Sequence, residues 1–199
     1  MPYAYRRMTR AEREAVVHWR REQGWPLHAP PHPIRQAGTY ILTAATFEHA
    51  PLMAEAERRS EFSGRLLTSL QEIGAEMFAW VVLPNHYHVL ATVRSLDGVS
   101  AALGRLHGST SRTWNVVDGR VGRRVWYHFA DRLIRNDGHF FRAISYIHGN
   151  AVKHGHAATP EEWRWSSLHD YLLAERHEWL RRIEARYPGD GLGRGWDDG

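Results

Sequence analysis

The chain of 199 residues contains no cysteine and only one lysine, Lys153. Without thiols it can form no disulfide, no cysteine-ligated zinc site and no thiol nucleophile, a composition that suits a reducing compartment. No stretch approaches the roughly 20 consecutive apolar residues that a membrane-spanning helix needs. The N-terminus also lacks the apolar core of a signal peptide. We therefore expect a cytoplasmic protein with no membrane partner.

The residues that are present favour a globular, arginine-rich domain. Hydrophobic residues make up 43% of the chain and include nine tryptophans, enough to fill a core. The net charge is +4, and seven arginines stand between positions 105 and 135, namely Arg105, Arg112, Arg120, Arg123, Arg124, Arg132 and Arg135. Because guanidinium groups match phosphate oxygens, this stretch is a candidate nucleic-acid surface. An arginine-rich solvated face is the alternative interpretation.

The order of patterns along the chain predicts three regions. Residues 1–37 form an N-terminal helix and a Pro-rich linker, residues 38–175 form the main domain, and residues 176–199 form a C-terminal helix and a flexible tail. β-branched and aromatic runs predict strands over 39–47, 77–83, 86–93 and 125–133. Helical spacing predicts helices over 53–73, 99–114 and 138–152.

Residues 80–91 are the most informative segment. They consist of an apolar run, a Pro84-Asn85 break, and a second run that carries His86 and His88. Alternate side chains of a strand share a face, so these imidazoles lie about 7 Å apart at their backbones and can reach one ion. The pattern predicts a half-buried strand with a metal-binding rim.

The predicted helix over 138–152 carries a second constellation. Four apolar residues at helical spacing form a stripe toward the sheet, namely Phe140, Ile144, Ile147 and Ala151. Tyr146 and Asn150 are four residues apart and share one flank of this stripe. Arg142 lies one turn before Tyr146 on the same flank and is a candidate phosphate contact. Taken singly, such a tyrosine is more often a filler at the core margin, and such an arginine is more often solvated.

Together these residues suit chemistry on a phosphodiester. Two imidazoles and an amide oxygen provide three metal ligands and leave positions open for a substrate oxygen. Tyr146 beside them would be the nucleophile, and the resulting phosphotyrosyl ester would keep the bond energy for rejoining the strand.

Three segments, in order, resemble those of HUH-type single-tyrosine transposases, and most of all the REP-associated tyrosine transposases. Pro84-Asn85-His86-Tyr87-His88-Val89-Leu90 resembles the His-hydrophobic-His motif. Residues 146–155, read as Tyr-Ile-His-Gly-Asn-Ala-Val-Lys-His-Gly, resemble the tyrosine helix. Residues 163–167, read as Trp-Arg-Trp-Ser-Ser, resemble a third segment. The likeness covers about residues 38–171.

The resemblance implies an α+β fold, a ferredoxin-like or RRM-like antiparallel sheet with helices packed on it. It implies His86, His88 and Asn150 as metal ligands, Tyr146 as the catalytic nucleophile and Mg²⁺ or Mn²⁺ as the cofactor. The implied partner is single-stranded DNA with hairpin structure, which such proteins cut and rejoin through a 5′-phosphotyrosine link. Ala151 stands where the family usually has proline, so we expect the helix to run one turn further, to Gly155.

Residues expected to contact the DNA are Arg142, Lys153, Arg105, Arg112, Arg123 and Arg124. Two other functions stay open at this point: a catalytically idle protein that only binds DNA hairpins, and a metal phosphodiesterase in which water attacks instead of tyrosine. The sequence also leaves monomer and homodimer open.

Overall fold

The computed structural model describes residues 37–190 and Leu192, together with Thr9, Ala11, Glu12, Glu14, Ala15, His18 and Glu22. All of these seven except Thr9 are helical, within the predicted N-terminal helix. The remainder of that helix, the Pro-rich linker and most of the predicted flexible tail lie outside the described residues. The division into three regions therefore stays a prediction.

Four strands form one antiparallel sheet. They are β1 (Gly38–Ala45), β2 (Glu76–Val82), β3 (His86–Val93) and β4 (Ala130–Leu133), in the order β2-β3-β1-β4. The helices are α1 (Ala56–Glu72), α2 (Leu96–Val117), α3 (Asp137–His148), α4 (Asn150–Lys153), α5 (Leu168–Leu173) and α6 (His177–Arg186). Short 3-10 turns occupy Phe47–His49 and Pro160–Glu162. The predicted α+β, ferredoxin-like architecture is confirmed. No described helix is long and apolar enough to cross a membrane.

Helices cover both faces of the sheet and create two hydrophobic cores. Tyr87 and Val89 point to the core shared with α1 and α2, while Leu90 points to the core shared with α3. The pleat of β3 produces this division, because successive side chains face opposite sides. The expected half-buried strand is therefore wrong in one respect: seven of the eight residues of β3 are buried, since both of its faces are covered.

The fourth strand is shorter than the sequence predicts. Only Ala130–Leu133 pairs regularly with β1, whereas a strand was expected over 125–133. Val125, Trp126 and Tyr127 are buried but lie outside this regular pairing, since Trp126 forms only an isolated bridge with Thr46. They are held instead by bonds from Phe47 N–H to the Val125 carbonyl (2.7 Å) and from Tyr127 N–H to the Ala45 carbonyl (2.9 Å).

Aromatic rings fill the core beneath α1 and α2. Phe62 contacts the rings of Tyr87, Trp114 and Trp126, with centroids 5.0 to 5.9 Å apart. The indole N–H of Trp126 donates to the Thr110 hydroxyl (3.0 Å). Trp114 and Trp126 are both nearly inaccessible to solvent, so they serve as core residues, as the tryptophan content predicted.

A charged cluster closes the C-terminal end of α2. Asp118 accepts from Arg58 at 2.6 Å and from Arg123 at 2.7 Å. These two hydrogen bonds lower the pKa of the Asp118 carboxyl from 3.8 to about 2. The cluster ties the start of α1 to the loop that follows α2.

We predict that Asp118→Asn lowers the free energy of unfolding by roughly 1–2 kcal/mol at neutral pH. Because the pKa is lower in the folded state, this stabilisation is complete above pH 3.8 and is lost as the pH falls through about 2. Urea unfolding of both proteins from neutral pH down to that range measures the difference. Glu61→Gln, which removes an exposed pair with Arg65, is the control and should cost less than about 0.5 kcal/mol. Equal losses in both variants would contradict the prediction.

Candidate active site

The two histidines of the predicted metal motif lie at the start of β3, on the face that meets α3. In the pairing of β1 with β3, Ala45 is opposite His86 and Thr43 is opposite His88. Both imidazoles are buried, with exposures of 2% and 0%, and their ring centroids lie 5.1 Å apart. The shared face that the spacing predicted is therefore present.

Neighbouring polar side chains contact the Nδ1 atom of each imidazole ring. His86 Nδ1 lies 2.7 Å from Asn85 Oδ1, and Asn85 Nδ2 donates to the His49 carbonyl at 3.3 Å. Since the Asn85 oxygen can only accept, His86 Nδ1 must carry the proton in that contact, which leaves a lone pair on Nε2. His88 Nδ1 lies 2.7 Å from the Thr43 hydroxyl.

The tyrosine helix packs across this face. Ile144, Ile147 and Ala151 are fully buried in the core shared with the sheet, as the apolar stripe predicted. After α3 ends at His148, the chain makes a further helical turn, α4, and Gly155 then adopts the left-handed conformation with φ of 69°. The expected extension of the helix to Gly155 is thus confirmed, with a slight break at Gly149.

This helix brings the candidate nucleophile and the candidate amide ligand onto the two histidines. The Tyr146 hydroxyl lies 3.2 Å from His88 Nε2, and Asn150 Oδ1 lies 3.1 Å from His86 Nε2. Tyr146 is 3% exposed and Asn150 is fully buried. The four predicted site residues therefore meet within one chain, although they come from two segments about 60 positions apart in the sequence.

The donor atoms suit a small divalent cation. The lone pair of His86 Nε2 faces an oxygen of Asn150, and two such acceptors repel each other unless a cation lies between them. Their 3.1 Å separation matches the about 3.0 Å expected for neighbouring ligands at right angles around Mg²⁺ with bonds of about 2.1 Å. Asn150 Nδ2 is buried with no hydrogen-bond partner among the described residues, as befits an amide oriented by its oxygen. The described residues contain no group of three His, Cys, Asp or Glu side chains arranged for a metal, so the amide is essential to this candidate set.

Cationic and imidazole groups border the Tyr146 ring and the histidine pair. The Lys153 ammonium lies 5.1 Å from the centroid of the Tyr146 ring. The His154 ring lies 4.9 Å from that of His86 and 6.4 Å from that of His156. Arg142 is exposed on α3, one turn before Tyr146. Of the residues predicted to contact DNA, Lys153 lies beside the Tyr146 ring, whereas the Arg142 guanidinium lies beside Gly138, toward the start of α3.

The other predicted DNA contacts lie elsewhere. Arg105 and Arg112 belong to α2, which covers the opposite face of the sheet from Tyr146. Arg123 is paired with Asp118 and also donates to Asn115 Oδ1 at 2.9 Å. Arg124 lies over the rings of Phe47 and Tyr127, at 4.8 and 5.3 Å from their centroids. The structure does not bring these four arginines together with Tyr146.

Three side chains at the site were not predicted as site residues. Thr43 could not be identified without the register of β1 against β3. Asn85 stands immediately before His86, but its side-chain orientation is fixed by the bond to the His49 carbonyl, which lies in the left-handed turn at Glu48 and His49. His154 lies close to His86 only because the helical turn of α4 follows Asn150.

We predict that Asn85→Ala changes the tautomer of His86. When the ring is neutral and no metal is bound, the wild type should carry its proton on Nδ1, because Asn85 Oδ1 accepts there. In Asn85→Ala a substantial Nε2–H population should appear, while Asn85→Asp, which keeps an acceptor, should retain the Nδ1–H form. Imidazole ¹⁵N chemical shifts measure this, with the half-buried His107 as an internal reference. An Nε2–H tautomer in the wild type would contradict the prediction.

Comparisons with known proteins give a consistent pattern. No protein-family model matches the chain. It is 26% identical over 147 residues to a protein of Haemophilus influenzae named as a REP-associated tyrosine transposase, a match that covers 66% of this chain and 81% of that protein. It is 30% identical over 100 residues to a REP-associated tyrosine transposase of Escherichia coli, which covers 47% of this chain and 54% of the relative. In that second comparison the chain spans only about half of its relative.

A solved structure resembles the fold. The REP-associated tyrosine transposase bound to a REP hairpin matches with a TM-score of 0.57 and 22% identity, over 72% of this chain and 84% of that one. At this identity the match shows the fold. Together with the two relatives, it confirms the resemblance that the three sequence motifs indicated.

Proposed function

On the premise that the chain is a relative of REP-associated tyrosine transposases, we propose that it is a metal-dependent single-stranded DNA endonuclease and strand transferase. It would cut and rejoin strands at hairpin or palindromic repeats through a 5′-phosphotyrosine intermediate. The observation that carries this proposal is the meeting of Tyr146 with His88, and of Asn150 with His86, in one buried site.

In the proposed cleavage step, the Tyr146 oxygen attacks the scissile phosphorus. A bond forms between that oxygen and phosphorus, and the bond from phosphorus to the 3′ oxygen of the upstream strand breaks. The phenol loses its proton and the departing 3′ oxygen gains one, so a free 3′ hydroxyl remains. Rejoining is the reverse reaction with a 3′ hydroxyl as the attacking group, so no external energy source is needed.

Residues of this chain would prepare the phenol for attack. The 3.2 Å contact with His88 Nε2 places the Tyr146 hydroxyl beside the nitrogen that would ligate the metal, so the phenol lies at the edge of the proposed metal site and needs little reorientation before reaction. The Lys153 ammonium lies 5.1 Å from the ring centroid, where its charge would stabilise negative charge developing on the phenol. A bound Mg²⁺ or Mn²⁺, held by His86, His88 and Asn150, would polarise the phosphate as a Lewis acid.

Burial of Tyr146 favours tyrosine over water as the nucleophile. At 3% exposure the side chain lies in a region that bulk water hardly enters. Exclusion of water would also protect the phosphotyrosyl ester from hydrolysis until a second strand end arrives. The hairpin partner is proposed by analogy with the solved relative, which was captured on a REP hairpin.

A denaturing gel tests the proposal directly. The protein is incubated with labelled single-stranded hairpin oligonucleotides and Mn²⁺ or Mg²⁺, and we expect a metal-dependent band of protein attached to DNA. Tyr146→Phe should abolish this band, and His86→Ala should reduce it by two or more orders of magnitude, as loss of a metal ligand commonly does. Tyr171→Phe is the matched control. The Tyr171 hydroxyl donates to the Phe78 carbonyl and does not contact His86 or His88, so this substitution should leave the band unchanged.

Two results would contradict the proposal and favour another function. Hairpin binding without any adduct would favour a protein that only binds DNA. Free cleaved strands without an adduct, and with Tyr146→Phe still active, would favour a phosphodiesterase that uses water.

A further inference from the structure

A group of cationic side chains lies where the edge strand β4 meets the start of α3. Arg132 of β4 pairs with Ile41 of β1, which in turn pairs with Leu90 of β3. Residues opposite each other in a sheet point to the same face, and the side chains of Ile41 and Leu90 are buried under α3. Arg132 therefore lies on the face of the sheet that also carries His88, and it is exposed at the sheet edge.

Three further side chains join Arg132 at the start of α3. Arg135 follows β4 by two residues and is exposed. Arg142 reaches back along the helix, with its Nη2 atom 3.5 Å from the position that a Cβ at Gly138 would occupy. Burial lowers the pKa of the half-buried His139 imidazole, and so do the positive charges of all three arginines, so this ring is neutral at pH 7. We call the group of Arg132, Arg135, His139 and Arg142 the β4–α3 surface.

The β4–α3 surface extends to the candidate nucleophile. Burial and the charge of Arg135 lower the pKa of Arg132, whereas a negative charge on Tyr146 would raise it. The guanidinium of Arg132 and the phenol are thus close enough for their charges to interact. Lys153 lies beside the same phenol from α4, at 5.1 Å from the ring centroid. Cationic groups from two different elements therefore lie around Tyr146.

Carboxylates offset only part of this positive charge. Asp131 pairs with Leu42, whose side chain belongs to the core under α1 and α2, so its carboxylate lies on the other face of the sheet. Asp137 is exposed in the first turn of α3, where the positive end of the helix dipole also lies. Guanidinium groups held close together repel one another, and an anion among them relieves the repulsion. The β4–α3 surface is therefore suited to an anionic ligand.

We propose that the β4–α3 surface binds phosphate groups of the single-stranded DNA beside the cleavage site, and that Arg132 contacts a phosphate adjacent to the scissile one. The inference rests on the proposed function and names the surface that holds its substrate. Guanidinium groups bind phosphate oxygens through paired hydrogen bonds. A free mononucleotide would satisfy one of the three arginines, whereas the backbone of a strand presents a phosphate to each.

These contacts would position the strand without reading its bases. Phosphate contacts fix the register and orientation of a nucleic acid and carry no direct sequence information. Because Arg132 and His88 lie on the same face of the sheet, a phosphate held by Arg132 would determine where the next phosphate lies relative to the candidate metal site. The sequence also pointed to Arg105 and Arg112 as DNA contacts, but both belong to α2, over the opposite face.

The test compares two double variants that remove the same charge, Arg132→Gln with Arg135→Gln, and Arg105→Gln with Arg112→Gln. Both are made in the full Tyr146→Phe chain, so that binding is measured without cleavage. Affinity for a hairpin oligonucleotide with single-stranded flanks is determined at several salt concentrations. The first pair should weaken binding roughly tenfold or more, and should flatten the plot of log affinity against log salt by about 0.7 for each lost phosphate contact. The second pair should change affinity less than about twofold, because salt screens charges on the far face.

A double-mutant cycle between protein and DNA locates the contact of Arg132. A methylphosphonate replaces one phosphate at a time along the single-stranded flank and removes its negative charge. At one position this replacement should weaken binding to the Tyr146→Phe chain but have no further effect when Arg132→Gln is also present. At the other positions the two effects should add.

Thermal unfolding confirms that these substitutions of exposed side chains leave each variant folded. Equal affinities of the two double variants would overturn the proposal, and so would effects that add at every position. An adduct formed by the wild type, together with equal affinities, would refute the β4–α3 surface and leave the proposed function standing. Loss of affinity confined to the first pair, with no adduct from the wild type, would support the surface and refute the cleavage chemistry.

Discussion

Antiparallel pairing of β1 with β3 is the constraint on which the rest of the site depends. It places Thr43 opposite His88 and holds both histidines on the face that α3 covers. A slip of one residue would turn the imidazoles to the opposite core, where aromatic side chains of α1 and α2 pack. Because such a slip would bury both imidazoles among apolar side chains without polar partners, the observed register is strongly favoured, and it determines the positions of the two histidines.

Burial gives the site its chemical character. The imidazoles, the phenol and the amide lie in a region with little water, where each polar atom needs a partner and where electrostatic interactions are stronger than in solvent. Asn85 contacts Nδ1 of His86, and Thr43 contacts Nδ1 of His88. The Nε2 atoms of the two rings therefore face Asn150 and Tyr146, respectively. Among the described residues, three of the buried polar atoms without hydrogen-bond partners lie on or just after the tyrosine helix, namely Ser145 Oγ, His148 Nδ1 and Asn150 Nδ2. A fold tolerates such local deficits mainly where function requires them.

Several elements could be predicted because their signals are local. The break at Pro84-Asn85 and the alternation that follows determine β3, whose observed bounds match the prediction. The apolar stripe of α3 likewise determines which side of that helix meets the sheet. The short β4 could not be predicted, since residues 125–127 have strand-like composition but are held by bonds to the turn after β1. The arginines of the region 105–135 are close in sequence but spread over separate surfaces, because helix and loop geometry, not proximity in sequence, directs side chains.

The sequence by itself determined the candidate chemistry: two histidines on one face of a strand, and a tyrosine and an asparagine four residues apart on one flank of a helix. Both follow from the fixed periods of strand and helix, which need no tertiary information. Only the tertiary structure decided that these two pairs face each other, that Asn85 and Thr43 orient the rings, and that cationic side chains of β4 and α3 lie together beside the nucleophile. Those features depend on contacts between residues far apart in the chain, and such contacts are set by packing and register, not by any local pattern.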